Sequence, residues 1–184
     1  PIVETLKDLG YSTTINIMQS NTCSKQRLGE LVRAAENFKA VDILYFADSL
    51  GNMDNEEIRK IVSVIKQEWS GPIGFHGHDN IGKAVSNTLV AADAGVTWLD
   101  GTIMGMGRGA GNAQMEYLLA ELYHRRLKEV LPAPLIDLAC KYFSDLKKRY
   151  DWGLNVWYYI SALYGVHPTY VQEMLAQNTF SPND

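Results

Sequence analysis

Four apolar segments with the pattern of buried strands alternate with four helical segments, at a spacing of about 30 residues. This alternation predicts βα units around a parallel sheet. The predicted strands are residues 13–18, 41–47, 73–78 and 96–103, and the predicted helices are residues 24–38, 54–69, 80–94 and 113–130.

Two α/β architectures contain such units: a (β/α)8 TIM barrel, of which four units are half, and an open doubly wound sheet. A glycine-rich loop follows the last predicted strand, whereas an open sheet more often binds phosphate after its first strand. That position favours the half-barrel. After residue 131 the pattern changes to short, aromatic-rich helices, so we predict a half-barrel catalytic domain at residues 1–131 and a helical extension at residues 132–184.

The composition narrows the classes of partner. The chain has 184 residues, 46% hydrophobic and 21% charged, which is typical of a globular protein. With 17 basic and 21 acidic residues and no basic block, nucleic acid binding is not expected. No apolar run approaches the roughly 18–20 residues of a membrane span. Cys23 and Cys140 are too isolated for a disulfide framework, which indicates a reducing compartment, and we predict the cytoplasm.

Two of the four histidines stand in the motif Phe75-His76-Gly77-His78-Asp79-Asn80. Side chains alternate along a strand, so His76 and His78 project on the same side. At the carboxyl end of a strand, two such imidazoles can bind one divalent metal ion. The alternative is that both are ordinary core or loop histidines.

Polar residues follow each of the other predicted strands, and the site of a parallel α/β fold lies at those strand ends. Asp48 could hold a catalytic water or a substrate hydroxyl, or could simply cap the adjacent turn. Ser49 could donate to a substrate carboxylate.

The loop after the last strand has glycines at positions 101, 105, 107, 109 and 111. Glycine permits positive φ and close backbone approach, and a helix starting at residue 113 would direct its amide groups at an anion in this loop. Arg108 could add donors. Asn112 could cap that helix, or could turn its amide oxygen towards a metal ion.

The stretch from Gly74 to Glu116 resembles the metal-dependent TIM-barrel lyases and synthases that include hydroxymethylglutaryl-CoA lyase, isopropylmalate synthase and 4-hydroxy-2-oxovalerate aldolase. The resemblance rests on the His-X-His motif, on "GMGRGAGNAQME", and on "YFADSLGNM" upstream. It extends over about residues 5–125, and the glycine loop is nearest to the aldolase branch.

The resemblance implies that the chain corresponds to the last four strands of the barrel plus a tail. His76, His78 and Asn112 would bind Mn²⁺ or Mg²⁺, with Zn²⁺ also suited to the imidazoles. Ser49 would contact the substrate carboxylate, and Tyr158 would match the catalytic tyrosine of the aldolases. The family's first-strand pattern, Asp-X-Thr-X-Arg-Asp-Gly, has no match in these 184 residues.

The implied activity is a metal-dependent aldolase-type cleavage of a 2-oxo acid such as a pyruvate derivative, with Asp48 and Arg108 also at the substrate. Two alternatives stay open: a Claisen-type acyl-CoA synthase or carboxyltransferase of the same superfamily, and a non-catalytic half-barrel that binds a ligand. We expect either a homo-oligomer or a missing N-terminal half-barrel, and we expect these 184 residues alone to be inactive.

Overall fold

The computed structural model describes residues 2–127 and 129–177. Their strands are β1 (Thr14–Ile17), β2 (Ile43–Asp48), β3 (Ile73–Gly77) and β4 (Trp98–Leu99). Their α-helices are α1 (Ile2–Asp8), α2 (Lys25–Asn37), α3 (Asn55–Glu68), α4 (Ala84–Asp93), α5 (Met115–His124), α6 (Ala133–Leu138), α7 (Ser144–Tyr150), α8 (Val156–Leu163) and α9 (Pro168–Gln177). A π-helical stretch, Ala139–Phe143, joins α6 to α7.

The strands form one sheet in the order β1-β2-β3-β4, with β1 parallel to β2 and β3 parallel to β4. Consecutive strands are therefore neighbours, as in successive units of a barrel wall. In a doubly wound sheet the strand order reverses at a switch point. The predicted fold class, the C-terminal half of a (β/α)8 barrel with a helical tail, is confirmed.

The chain divides into two compact units. The first contains the chain up to Ser49, Met53–His76 and Ser86–Asp100, and thus almost the whole sheet. The second contains Leu50–Asn52, Gly77–Val85 and the chain from Gly101 onward. The predicted boundary after residue 131 stays a prediction.

The core of the first unit lies between the sheet and the helices α2 and α3. Phe46 of β2 and Phe75 of β3 are fully buried, with ring centroids 4.8 Å apart. The helices bury apolar residues at helical spacing, among them Leu28, Val32 and Ala35 of α2 and Ile58, Val62 and Ile65 of α3. This helical periodicity gives each of the two helices one apolar face, which packs in the core.

The second unit is organised around the glycine loop and the tail. The indole Nε1 of Trp152 donates to the Met104 carbonyl oxygen at 3.0 Å, and the Gly153 amide donates to the Gly109 carbonyl oxygen at 3.0 Å. The residue before α8 is Asn155, whose side chain caps that helix by accepting from two backbone amides. The tail therefore fixes the backbone of the loop.

Several predicted boundaries are wrong, among them both ends of the last predicted helix, since α5 ends at His124 and not at residue 130. Helix α4 begins at Ala84 and not at Asn80, since Asp79 Oδ1 accepts from the Ala84 amide at 2.9 Å. Strand β4 ends at Leu99 and not at residue 103. Helix α5 begins at Met115 rather than at residue 113, because the Ala113 amide donates to the Gly77 carbonyl oxygen instead.

Within the described ranges, no helix combines the length and the apolar character needed to cross a membrane.

The capping box of α3 provides a test of local stability. Asp54 Oδ1 accepts from the amides of Glu56 and Glu57, both at 2.8 Å, and Glu57 Oε2 accepts from the Asp54 amide. We predict that Asp54→Ala lowers the free energy of unfolding in urea by about 1 kcal/mol. The control Asp145→Ala removes a side chain that is 89% exposed, and should change it by less than about 0.5 kcal/mol. Equal effects of the two substitutions would contradict the capping role.

Candidate functional site

His76 ends the part of β3 that belongs to the first unit, and its neighbour across the sheet is Asp100. The register pairs Gly74 with Trp98 and Phe75 with Leu99, so Asp100 follows opposite His76. The Asp100 amide continues the pairing by donating to the Phe75 carbonyl oxygen at 3.1 Å. His76 Nδ1 lies 3.0 Å from Asp100 Oδ2.

Tyr45 of β2 completes this cluster. Its hydroxyl donates to Asp100 Oδ1 at 3.1 Å. Burial, followed by the negative charge of Asp100 and the hydrogen bond to it, raises the pKa of Tyr45 to about 12. The phenol is therefore a hydrogen-bond donor at neutral pH.

Sequence reasoning missed Tyr45 and Asp100. The predicted fourth strand ran to residue 103, which placed Asp100 inside a strand and not at its end. The signal that could have identified it is its position directly before Gly101, as a carboxylate that follows an apolar run.

Asp48 and Ser49 are both buried and take part in hydrogen bonds of the loop after β2. Asp48 Oδ2 accepts from the Met53 amide at 3.0 Å. Ser49 Oγ accepts from the Gln19 amide at 2.9 Å, and a hydroxyl that accepts in this way keeps its own hydrogen to donate.

His78 and Asn112 lie together in the second unit, where they form an isolated antiparallel bridge. The Asp79 amide donates to the Gly111 carbonyl oxygen at 3.0 Å and extends this pairing. Asn112 is thus a direct neighbour of His78 in the second unit. Asn112 does not cap α5, whose N-terminal cap residue is Gln114.

In the side-chain amide of Asn112, the nitrogen forms a hydrogen bond and the oxygen forms none with the described residues. Its Nδ2 donates to the Met106 carbonyl oxygen at 3.1 Å. Its Oδ1 is buried and has no hydrogen-bond partner among the described residues. An amide oxygen in this state fits a cation, because leaving a buried acceptor unsatisfied costs about 1–3 kcal/mol.

Positive φ angles occur in the loop at Gly105, Gly109 and Gly111, as predicted for the last two. A Cβ at Gly111 (φ +82°) would run into the Gly105 carbonyl oxygen, and a Cβ at Gly109 (φ +62°) would lie 3.1 Å from Cε1 of Tyr158. Glycine at 111 is therefore required by both the backbone angle and the close approach.

Tyr158 packs with Ala110 and Val171 and is 6% exposed, whereas its neighbour Tyr159 is 42% exposed. Burial raises the pKa of Tyr158, and the charge of Asp151 raises it further against an opposing effect of Arg108. Arg108 itself is exposed.

A polar cavity of about 570 Å³ lies in the second unit beside Asn112. Its other polar lining includes Asp79, Lys147, Asp151 and Trp152. Burial raises the pKa of Asp79, against the opposing effects of the Ala84 amide and the Lys147 ammonium. The contribution of Lys147 and Trp152 was not predicted, because the tail lies more than 30 residues from the loop in sequence.

A larger cavity of about 650 Å³ occurs in the first unit, between the segment 20–28 and α3. It contains none of the predicted site residues. The polar cavity beside Asn112 is therefore the one relevant to the predicted chemistry.

Among the residues that the structure describes, no three side chains of His, Cys, Asp or Glu are grouped to hold a metal ion. The predicted set of His76, His78 and Asn112 contains only two residues of these types. Of this set, His76 contacts the carboxylate of Asp100, and Asn112 has a buried Oδ1 without a hydrogen-bond partner among the described residues.

Comparison with known proteins gives consistent matches. The model of the HMGL-like family matches residues 1–139. The chain is 40% identical over 116 residues to the 4-hydroxy-2-oxovalerate aldolase of Pelotomaculum thermopropionicum, covering 63% of this chain and 34% of that one. It is 33% identical over 178 residues to the oxaloacetate decarboxylase of Mycobacterium tuberculosis, covering 96% of this chain and 52% of that one.

A solved structure also matches nearly the whole chain. The N-terminal domain of a Bacteroides vulgatus protein, provisionally described as an aldolase, has a TM-score of 0.86 and 30% identity. The match covers 99% of this chain and 59% of that one. The chain spans about a third to a half of the length of the two curated relatives. By the family match over residues 1–139, this chain belongs to the HMGL-like family.

Proposed function

We propose that this chain carries the metal-binding part of a lyase that cleaves a carbon–carbon bond of a 2-oxo acid. Family membership supports the reaction class. The aldolase and the decarboxylase relatives are both named for 2-oxo acid substrates. Both names describe reactions that cleave a carbon–carbon bond.

The observation that carries the proposal concerns Asn112. Its Oδ1 is buried without a hydrogen-bond partner among the described residues, and its backbone forms a bridge with His78. We propose that His76, His78 and Asn112 bind one divalent ion. The family resemblance favours Mn²⁺ or Mg²⁺, and the two imidazoles also suit Zn²⁺. Such an ion, when bound, supplies Lewis-acid polarisation of the substrate's oxo group.

The three proposed ligands are all neutral, so none of them balances the charge of the ion. In the family a carboxylate ligand belongs to the Asp-X-Thr-X-Arg-Asp-Gly pattern, which these 184 residues do not contain. We propose that a further segment, from the same or a second chain, supplies it, and that these 184 residues alone are inactive.

The other residues have proposed roles that follow from their surroundings. Ser49 donates its hydroxyl hydrogen to the substrate carboxylate, and the exposed cation of Arg108 attracts that carboxylate. Tyr158 moves the proton that the cleavage releases from the substrate hydroxyl to the enolate carbon of the product. The bond from the Met53 amide supports the turn-capping role for Asp48.

A decarboxylase is the second candidate, because the match to the oxaloacetate decarboxylase includes the tail whereas the aldolase match covers 63% of the chain. Assays of the complete protein with 4-hydroxy-2-oxovalerate and oxaloacetate separate the two, since cleavage of the first releases an aldehyde and cleavage of the second releases CO₂. A requirement for CoA or biotin would instead indicate the Claisen-type synthase or the carboxyltransferase. Bound metal without turnover would indicate the binding module.

Replacing the histidines tests the metal site. We predict that, in the complete protein, His76→Ala and His78→Ala each weaken Mn²⁺ binding by more than about 100-fold, because loss of an outer-shell partner alone weakens metal affinity by about 10–100-fold. Metal content by elemental analysis and affinity by calorimetry provide the readout. His124→Ala, an exposed histidine on α5, is the control and should bind as the wild type does. Unchanged metal content in His76→Ala would refute the assignment.

The glycine loop provides a test of how Asn112 is held. We predict that Gly111→Ala lowers the free energy of unfolding by more than about 2 kcal/mol, since left-handed backbone alone costs an L residue about 1–2 kcal/mol. Gly165→Ala is the matched control, because Gly165 also has positive φ (+67°) but open space around a Cβ. Urea denaturation measures both. Equal losses would show that the approach to Gly105 does not constrain the loop.

A further inference from the structure

We propose that Asp100 and Tyr45 are positioning residues that orient His76 and fix its tautomer for metal binding. The inference rests on the proposed function, since it assigns His76 as a ligand. It concerns a cluster within the first unit that sequence reasoning did not identify.

The pairing of β3 with β4 creates the His76–Asp100 contact. Asp100 stands directly opposite His76 in the continued register, and Asp100 Oδ2 lies 3.0 Å from His76 Nδ1. The histidine side chain is 29% exposed and that of Asp100 is 43% exposed. The contact therefore lies at the accessible edge of the sheet, where a ligand can reach the ring.

The carboxylate determines which ring nitrogen carries the hydrogen. An ionised carboxylate only accepts hydrogen bonds, so Nδ1 of His76 has to donate. In the neutral ring this leaves the lone pair on Nε2, which is the atom that binds a metal ion. Histidine ligands in metal sites are commonly held in this way by a carboxylate on the other nitrogen.

Tyr45 holds the carboxylate in place. Its hydroxyl donates to Oδ1, so the two oxygens of Asp100 are each bound by a different residue. Asp100 is therefore held on both oxygens, and its proposed effect on the metal ion is exerted through His76. The hydrogen bond from Tyr45 also limits rotation of the carboxylate.

Gly74 provides the space for this arrangement. It lies two residues before His76, and hence on the same face of β3. A Cβ at Gly74 would run into the ring of Tyr45. The absence of a side chain at this position lets the Tyr45 ring lie across β3 and reach Asp100.

The first test is metal affinity. We predict that Asp100→Ala weakens Mn²⁺ binding by about 10–100-fold in calorimetry. Tyr45→Phe removes one hydrogen bond and should weaken it less, by roughly fivefold. The control Asp145→Ala removes an exposed carboxylate in the tail and should leave the affinity unchanged. Circular dichroism and urea denaturation verify that each variant folds.

The second test reads the tautomer directly in the metal-free protein. With ¹⁵N-labelled histidine, NMR should show that His76 carries its hydrogen on Nδ1 in the wild type. In Asp100→Ala the ring should shift towards the Nε2–H form, which a merely structural role of Asp100 would not cause.

The two tests separate the inference from the proposed function. A wild type that does not bind Mn²⁺ would overturn the proposed function, while the tautomer still reports on Asp100. A wild type that binds Mn²⁺, together with wild-type affinity and an unchanged tautomer in Asp100→Ala, would overturn the positioning role alone.

Discussion

The parallel pairing of β3 with β4 is the constraint on which the candidate site of the first unit depends. It places Asp100 opposite His76, and strand alternation places Phe75 on the other face, where it packs against Phe46. A register slip of one residue would exchange the two faces. The same pairing therefore fixes both the apolar core and the orientation of the histidine.

The second unit holds its part of the site by backbone contacts. Asn112 is bridged to His78, and the left-handed angles of Gly109 and Gly111 bring the loop to this position. The tail stabilises the loop through Trp152, which donates to the Met104 carbonyl oxygen. The buried Oδ1 of Asn112, which has no hydrogen-bond partner among the described residues, fits a bound cation.

Features that depend on local sequence were predictable. Ser24 and Asp54 cap α2 and α3 as expected, because N-terminal caps act within three residues along the chain. The four strands also follow from their apolar patterns. The His-X-His motif and the glycine loop were likewise visible in the sequence.

Features that depend on contacts between distant segments were not predictable. The bond from Tyr45 to Asp100 joins residues 55 positions apart, and nothing in either local pattern indicates it. Helix α5 begins later than its apolar pattern suggests, because Ala113 pairs with Gly77. In both cases the decisive hydrogen bond joins segments that are distant in the sequence.

The most direct test of the central claim is the position of a bound Mn²⁺ ion in crystals of the protein, located by its anomalous scattering. The account predicts one strong peak, coordinated by Nε2 of His76, by His78 and by Oδ1 of Asn112. A peak at other residues, or none at a saturating concentration of Mn²⁺, would contradict it.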